Sequence, residues 1–145
     1  MATVRNCKLP DELFYNVESN VWARRETDGT ITVGMTSYAC SMVGEVVAYL
    51  PQKLGKTIGQ NKSVASVESG KWVGPVRAPV SGEIVAINEA VAAKPSTINA
   101  DPYGKGWIVR LKPLDWDAEA GRLVFGAAIR PAFEAKMNAD GFAGC

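Results

Sequence analysis

The sequence predicts a mainly β protein of short antiparallel strands, framed by short helices and ending in one longer helix. Three observations lead there. From Val21 to Asn88 the chain is rich in Val, Ile and Thr and is repeatedly interrupted by glycine, the composition of short strands and tight turns. Asp28-Gly29 stands between two extended runs, which is a strong local hairpin signal. No segment of this stretch keeps a helical period for ten residues.

The elements follow in order. The first twenty residues show no clear period, and Pro10 to Phe14 reads as the opening of a short helical turn. Val21–Arg24 and Thr30–Met35 form the hairpin around Asp28-Gly29. Further strands are expected at Val43–Leu50, Lys62–Val67, Trp72–Arg77 and Gly82–Asn88. Asn88 is placed to cap a short helix over Glu89–Lys94, which Pro95 prevents from continuing. Asp101 to Gly106 is a turn cluster, and Trp107–Leu111 alternates afterwards as a last strand. Arg130–Met137 fits a helix with Pro131 in its first turn and with Phe133 and Met137 on one face. One pentapeptide recurs: Gly44-Glu45-Val46-Val47-Ala48 returns as Gly82-Glu83-Ile84-Val85-Ala86. Two similar halves of a small barrel would show such a repeat. The reading is one domain over residues 1–145, with a core at about 15–113, a helical extension at 115–137 and a mobile tail at 138–145.

Composition narrows function. With 145 residues the chain needs no disulfide or metal staple, and 47% hydrophobic against 21% charged residues is an ordinary globular mix. A net charge of +1 gives no electrostatic footprint for nucleic acid or an anionic membrane. No apolar run approaches the roughly 20 residues of a spanning helix. The sequence has no histidine, which removes His-based triads, His-ligated metals and an imidazole base. Any chemistry must come from carboxylates, lysines, thiols or an attached group. The three cysteines, Cys7, Cys40 and Cys145, form no CxxC and are odd in number. A disulfide framework is therefore not expected, and a reducing cytoplasm is the default. Cys40 reads as a small buried apolar residue.

The segment that stands out is Val67-Glu68-Ser69-Gly70-Lys71-Trp72-Val73-Gly74-Pro75-Val76. A strand ends, a tight turn follows, and a second strand leaves. Glycine before the lysine permits positive φ, so Lys71 would sit at a hairpin tip with its amine in water. By itself this is one turn lysine among nine in the chain.

That run, with Arg77 to Asn88 and the later Asn99-Ala100-Asp101-Pro102-Tyr103-Gly104 and Gly106-Trp107, resembles the H protein of the glycine cleavage system and its lipoate-carrying relatives. Trp22, Thr32 to Ala39 and Gly44 to Val47 extend the likeness towards the N-terminus, so that it spans about residues 15–113. The resemblance implies a barrel-sandwich hybrid of short strands. It also implies lipoic acid in amide linkage on Lys71, with Glu68, three residues upstream, as the acid that marks the attachment site and Gly70 and Trp72 flanking it. Such a protein is a non-catalytic carrier whose reactive atoms lie on the arm. Its implied partners are a lipoate-protein ligase, the glycine decarboxylase system and dihydrolipoamide dehydrogenase.

Two departures point elsewhere in the family. Ser19-Asn20-Val21-Trp22 lacks the His and acid that glycine cleavage H proteins usually carry before the tryptophan, and Trp72-Val73-Gly74-Pro75 replaces the usual small residues and acid. These features and the cysteine-ended tail resemble the divergent H-like branch linked to a heterodisulfide reductase-like sulfur-oxidation system. There the arm would carry a sulfur substrate or electrons, and Cys145 is a candidate redox thiol that exchanges with the lipoyl disulfide. The alternatives are a glycine cleavage H protein carrying the aminomethyl group and an unmodified interaction module. An independent enzyme is disfavoured, because no acid–base pair is spaced for catalysis.

Overall fold

The computed structural model describes residues 1–145. Its strands are β1 (Ala2–Val4), β2 (Cys7–Leu9), β3 (Phe14–Asn16), β4 (Val21–Arg25), β5 (Ile31–Met35), β6 (Val46–Pro51), β7 (Thr57–Ile58), β8 (Ser63–Ser69), β9 (Val73–Arg77), β10 (Gly82–Ile87) and β11 (Val109–Pro113). Five helices interrupt them: α1 (Ser37–Val43), α2 (Glu89–Ala93), α3 (Thr97–Ala100), α4 (Trp116–Glu119) and α5 (Ile129–Asp140). All strand pairs are antiparallel, in a six-stranded sheet ordered β3-β4-β5-β11-β10-β7, a three-stranded sheet β6-β8-β9 and the hairpin β1-β2. The mainly β architecture with a C-terminal helix is the one expected.

The larger sheets close over a core of Val, Ile, Leu and Ala side chains from every major strand, among them Val33, Val64, Val67, Ile84 and Leu111. The Asp28-Gly29 hairpin forms as expected, with Arg25 opposite Ile31 and Gly29 at φ 88°. The repeated pentapeptide is a structural repeat. β6 bulges at Val47 against β8, and β10 bulges at Val85 against β11, the same position of each copy. The bulge turns both valines out to solvent.

A second core lies under α5. Ile129, Phe133 and Met137, four residues apart, pack on Tyr15, Trp22 and Tyr38 and on the N-terminal hairpin residues Val4 and Leu9. Trp22 is fully buried, and its indole N–H reaches the carbonyls of Met35 and Pro102, both at 3.0 Å. Gly34 lies flat against that ring, since a Cβ there would stand 2.3 Å from Trp22 Cε2.

Several expectations are corrected. Pro10–Phe14 makes a turn leading into β3, not a helical turn. The strand expected from Val43 starts at Val46, because Val43 ends α1. Helix α1 went unseen for want of ten periodic residues; its seven residues are delimited by caps, with Thr36 Oγ1 accepting from Ala39 N–H and Gly44 at φ 80°. The tail is tied down. Cys145 N–H donates to Arg5 C=O at 2.9 Å, the Phe142 ring packs 4.6 Å from Tyr38, and Cys7 and Cys145 form a disulfide. The expectation of no disulfide fails because cysteine spacing does not reveal that the fold brings residue 7 and residue 145 together. Cys145 is thus not a free thiol, and one support for a reducing compartment falls. Cys40 alone is free; it is buried, and burial pushes its thiol up to about 12.

Candidate functional site

The β8–β9 hairpin reverses over two residues. Ser69 N–H donates to Trp72 C=O at 2.8 Å, leaving Gly70 and Lys71 as the exposed tip. Ser69 itself is buried and fixes the tip to the body. Its hydroxyl donates to Val43 C=O, the last residue of α1, at 2.5 Å, and accepts from Lys71 N–H at 3.4 Å. Lys71 lies over Gly44, where a Cβ would meet Lys71 Cε at 3.4 Å. The Lys71 amine enters none of the ion pairs of the fold, and Glu68 stands exposed three residues before it on β8.

Gly70 departs from expectation. Its φ is not positive, and a Cβ there would meet nothing within 4 Å. The reversal does not need glycine on either count.

Trp72 folds back across the hairpin. A Cβ on Gly74 would stand 2.3 Å from Trp72 Cζ2, so the indole rests on the glycine face. In that position it walls an apolar cleft of about 140 Å³ between the hairpin, α1 and the start of β4, lined by Val21, Met35, Ala39, Met42, Pro75 and Val76 among others. The polar members are Ser19 and Asn20, and no carboxylate lines the cleft. Asn20 sits in the left-handed region at φ 58°, and its side-chain oxygen accepts from the Thr36 hydroxyl at 3.2 Å. Ser19 Oγ is buried with no partner. Ser19 as a residue lines both this cleft and a neighbouring depression with Asn16, Glu18, Asn61 and Arg77. Val43 lines both this cleft and the depression that holds Lys71.

The structure thus brings Glu68, Gly70, Lys71 and Trp72 together on one hairpin and places Cys145 at the opposite end of α1, where its sulfur lies 3.7 Å from Ser37 C=O. Sequence reasoning missed the cleft because it missed α1. Thr36 and Gly44, seven residues of helix apart, were the available signal.

Comparison with known proteins fits this geometry. A family model described as glycine cleavage H-protein matches residues 13–134. The chain belongs to the glycine cleavage H-protein family. It is 53% identical over 119 residues to glycine cleavage system H protein 5 of Aquifex aeolicus, covering 79% of this chain and 80% of that one. It is 45% identical over 142 residues to a probable glycine cleavage system H protein 2 of Sulfurisphaera tokodaii, covering 97% and 95% respectively. A crystal structure of a glycine cleavage system H protein from Mycobacterium marinum superposes with a TM-score of 0.74 at 30% identity, over 92% of this chain and all of that one. H proteins are non-catalytic carriers bearing lipoic acid covalently on a lysine. An isolated amine on an exposed two-residue tip suits amide attachment of such an arm, since nothing in the fold competes for it. No helix here is long and apolar enough to cross a membrane.

Proposed function

We propose that this protein is a lipoyl carrier loaded on Lys71, presenting the arm to the enzymes of a glycine cleavage-type system. The observation that carries the reading is the Lys71 tip: an unpaired amine on a hairpin pinned by Ser69 to the end of α1. Glu68 is the acid a lipoate-protein ligase reads beside it, and Gly70 leaves the approach to the tip open. Bound lipoate supplies a disulfide that accepts electrons or a fragment. The chain's own residues hold the attachment point, offer the apolar cleft beside it and expose the docking surface. Glycine decarboxylase and dihydrolipoamide dehydrogenase are the partners this reading requires.

A second reading rests on the cleft. An aminomethyl cargo is an ammonium ion, and burying it beside Trp72, Met42 and Val21 in a cleft that no carboxylate lines would be costly. A neutral sulfur cargo, or the bare dithiolane, suits the same apolar walls. This favours service in a heterodisulfide reductase-like sulfur-oxidation system.

The test has two stages. Treated with lipoate and a lipoate ligase, the wild type gains the mass of one lipoyl group and Lys71→Arg does not; an unmodified wild type refutes both readings and leaves an interaction module. The loaded protein is then given to glycine decarboxylase with glycine. Efficient aminomethyl loading rules out the second reading, and a lipoylated protein that takes no aminomethyl group overturns the first.

A further inference from the structure

Helix α1 joins two sulfur-relevant points of the molecule. Ser37, Cys40, Ser41 and Gly44 recur at the spacing that places residues on one helical face. At one end of that face Cys145 Sγ lies 3.7 Å from Ser37 C=O. At the other, Lys71 Cε lies against Gly44. Seven residue steps separate Ser37 from Gly44, about 10 Å of helix at roughly 1.5 Å per residue.

An open groove of about 340 Å³ lies along this face, with Ser37, Cys40, Ser41, Asn99 and Cys145 on its walls. Asn99, on its wall, donates its amide to Gly44 C=O at 2.7 Å and accepts from Val46 N–H at 2.9 Å, and Gly44 in turn lines the separate depression that holds Lys71. A lipoyl group adds about eight bonds beyond Lys71 Cε, an extended reach of roughly 10 Å from bonds of about 1.5 Å. The two sulfurs of the disulfide are unequal: Cys7 is fully buried, and Cys145 is exposed on the groove. Lys8 stands on the same groove wall.

We infer that the Cys7–Cys145 disulfide is a second redox centre of this carrier, in reversible dithiol–disulfide exchange with the reduced arm on Lys71. The inference rests on the lipoyl reading of Lys71. Cys145 Sγ accepts attack from one arm thiolate, the Cys7–Cys145 bond breaks, and Cys7 leaves with the electron pair and takes up a proton. The second arm thiol then displaces Cys145, which leaves as its own thiol. Two electrons and two protons pass from the arm to the cysteines, one S–S bond is lost, one is gained on the arm, and no outside oxidant is needed. Cys40 takes no part: its thiol is buried, with Sγ directed at Ile98 C=O.

The test uses the full chain, lipoylated and with its disulfide formed. Dihydrolipoamide dehydrogenase and NADH reduce the arm, the reaction is quenched with N-ethylmaleimide, and mass spectrometry assigns the alkylated sulfurs. Cys7 and Cys145 should become alkylated at least about tenfold faster than in Lys71→Arg, at a rate independent of protein concentration, because the arm is tethered. Against an unfavourable equilibrium, Cys7→Ser with an oxidised arm provides a second readout. Its Cys145 thiol opens the ring, N-ethylmaleimide caps the freed arm thiol, and a digest contains the Cys145 peptide joined to the Lys71 peptide. Either signal supports the exchange. An arm alkylated at both its sulfurs, with the Cys7–Cys145 bond intact and no joined peptide in the variant, overturns it while leaving the carrier reading in place. Absence of any lipoyl mass on Lys71 overturns both.

Discussion

Replacing Cys145 with serine tests how the two ends of this chain are held. The disulfide closes a loop with a sequence separation of 138 residues. The folded tail has other anchors: Cys145 N–H on Arg5 C=O, the Arg5 guanidinium on Phe142 C=O and Asn138, and Phe142 on Tyr38. The serine variant keeps these contacts, so its loss falls mainly on the unfolded chain, which gains the freedom the cross-link denied it. The chain-entropy relation for a loop of this length gives about 5 kcal/mol. With an unfolding entropy of about 2.1 cal/mol/K per residue, that is a fall in Tm of roughly 16 °C for this chain. Circular dichroism melts of wild type and Cys145→Ser, unlipoylated so that the arm plays no part, measure it directly, and wild type in excess phosphine should melt with the variant. A difference below about 3 °C would refute the reasoning, meaning that the tail anchors persist in the unfolded ensemble or that the bond does not form.

Other perturbations separate structure from function at the site. Gly34→Ala drives a methyl into the buried Trp22 ring and should cost about 3 kcal/mol in urea denaturation. At the tip, Gly70→Ala should stay within about 0.5 kcal/mol of wild type, since its Cβ meets nothing, whereas Ser69→Ala should lose roughly 1–2 kcal/mol and slow lipoylation by freeing the hairpin from Val43. Burial raises the ionisations of Tyr15, Tyr49, Tyr103 and Cys40, the last two to about 12. Each ionises more easily in the unfolded chain, so stability should hold below about pH 9 and fall as pH climbs towards 12. Chemical denaturation at pH 8, 10 and 11 checks the sign, and a rise in stability with alkalinity would contradict it.

Much of this fold was legible because its strands announce themselves. Asp28-Gly29 marked a hairpin, Asn88 marked a cap that accepts from Ala90 and Val91 N–H, and Phe133 with Met137 marked the buried face of α5. The Lys71 tip was legible as a turn, although its glycine was credited with a conformation it does not use. What stayed hidden depends on tertiary placement. A seven-residue helix offers too few turns to show a period, yet α1 supplies a wall of the cleft and the floor beneath Lys71. The β1–β2 hairpin turns on Arg5 and Asn6, both at positive φ, which only asparagine hinted at. The disulfide requires knowing that α5 returns the chain to its first strands.

Under the proposed loading of Lys71, the matched bulges at Val47 and Val85 bear on how a ligase would pick one residue on this surface. They align the two half-barrels residue by residue: Ser69 faces Val46 as Leu111 faces Ile84, and Glu68 faces Ala48 as Arg110 faces Ala86. Carried two steps on, the counterpart of Lys71 is Pro113, where the chain leaves for the C-terminal helices rather than turning back. The duplicate strand pair therefore offers the opposite charge where Glu68 stands and a ring without an amine where the lysine stands. The pseudosymmetry of the barrel is broken at the β8–β9 tip, and the neighbouring Lys112 lies in a strand, out of register with any reversal.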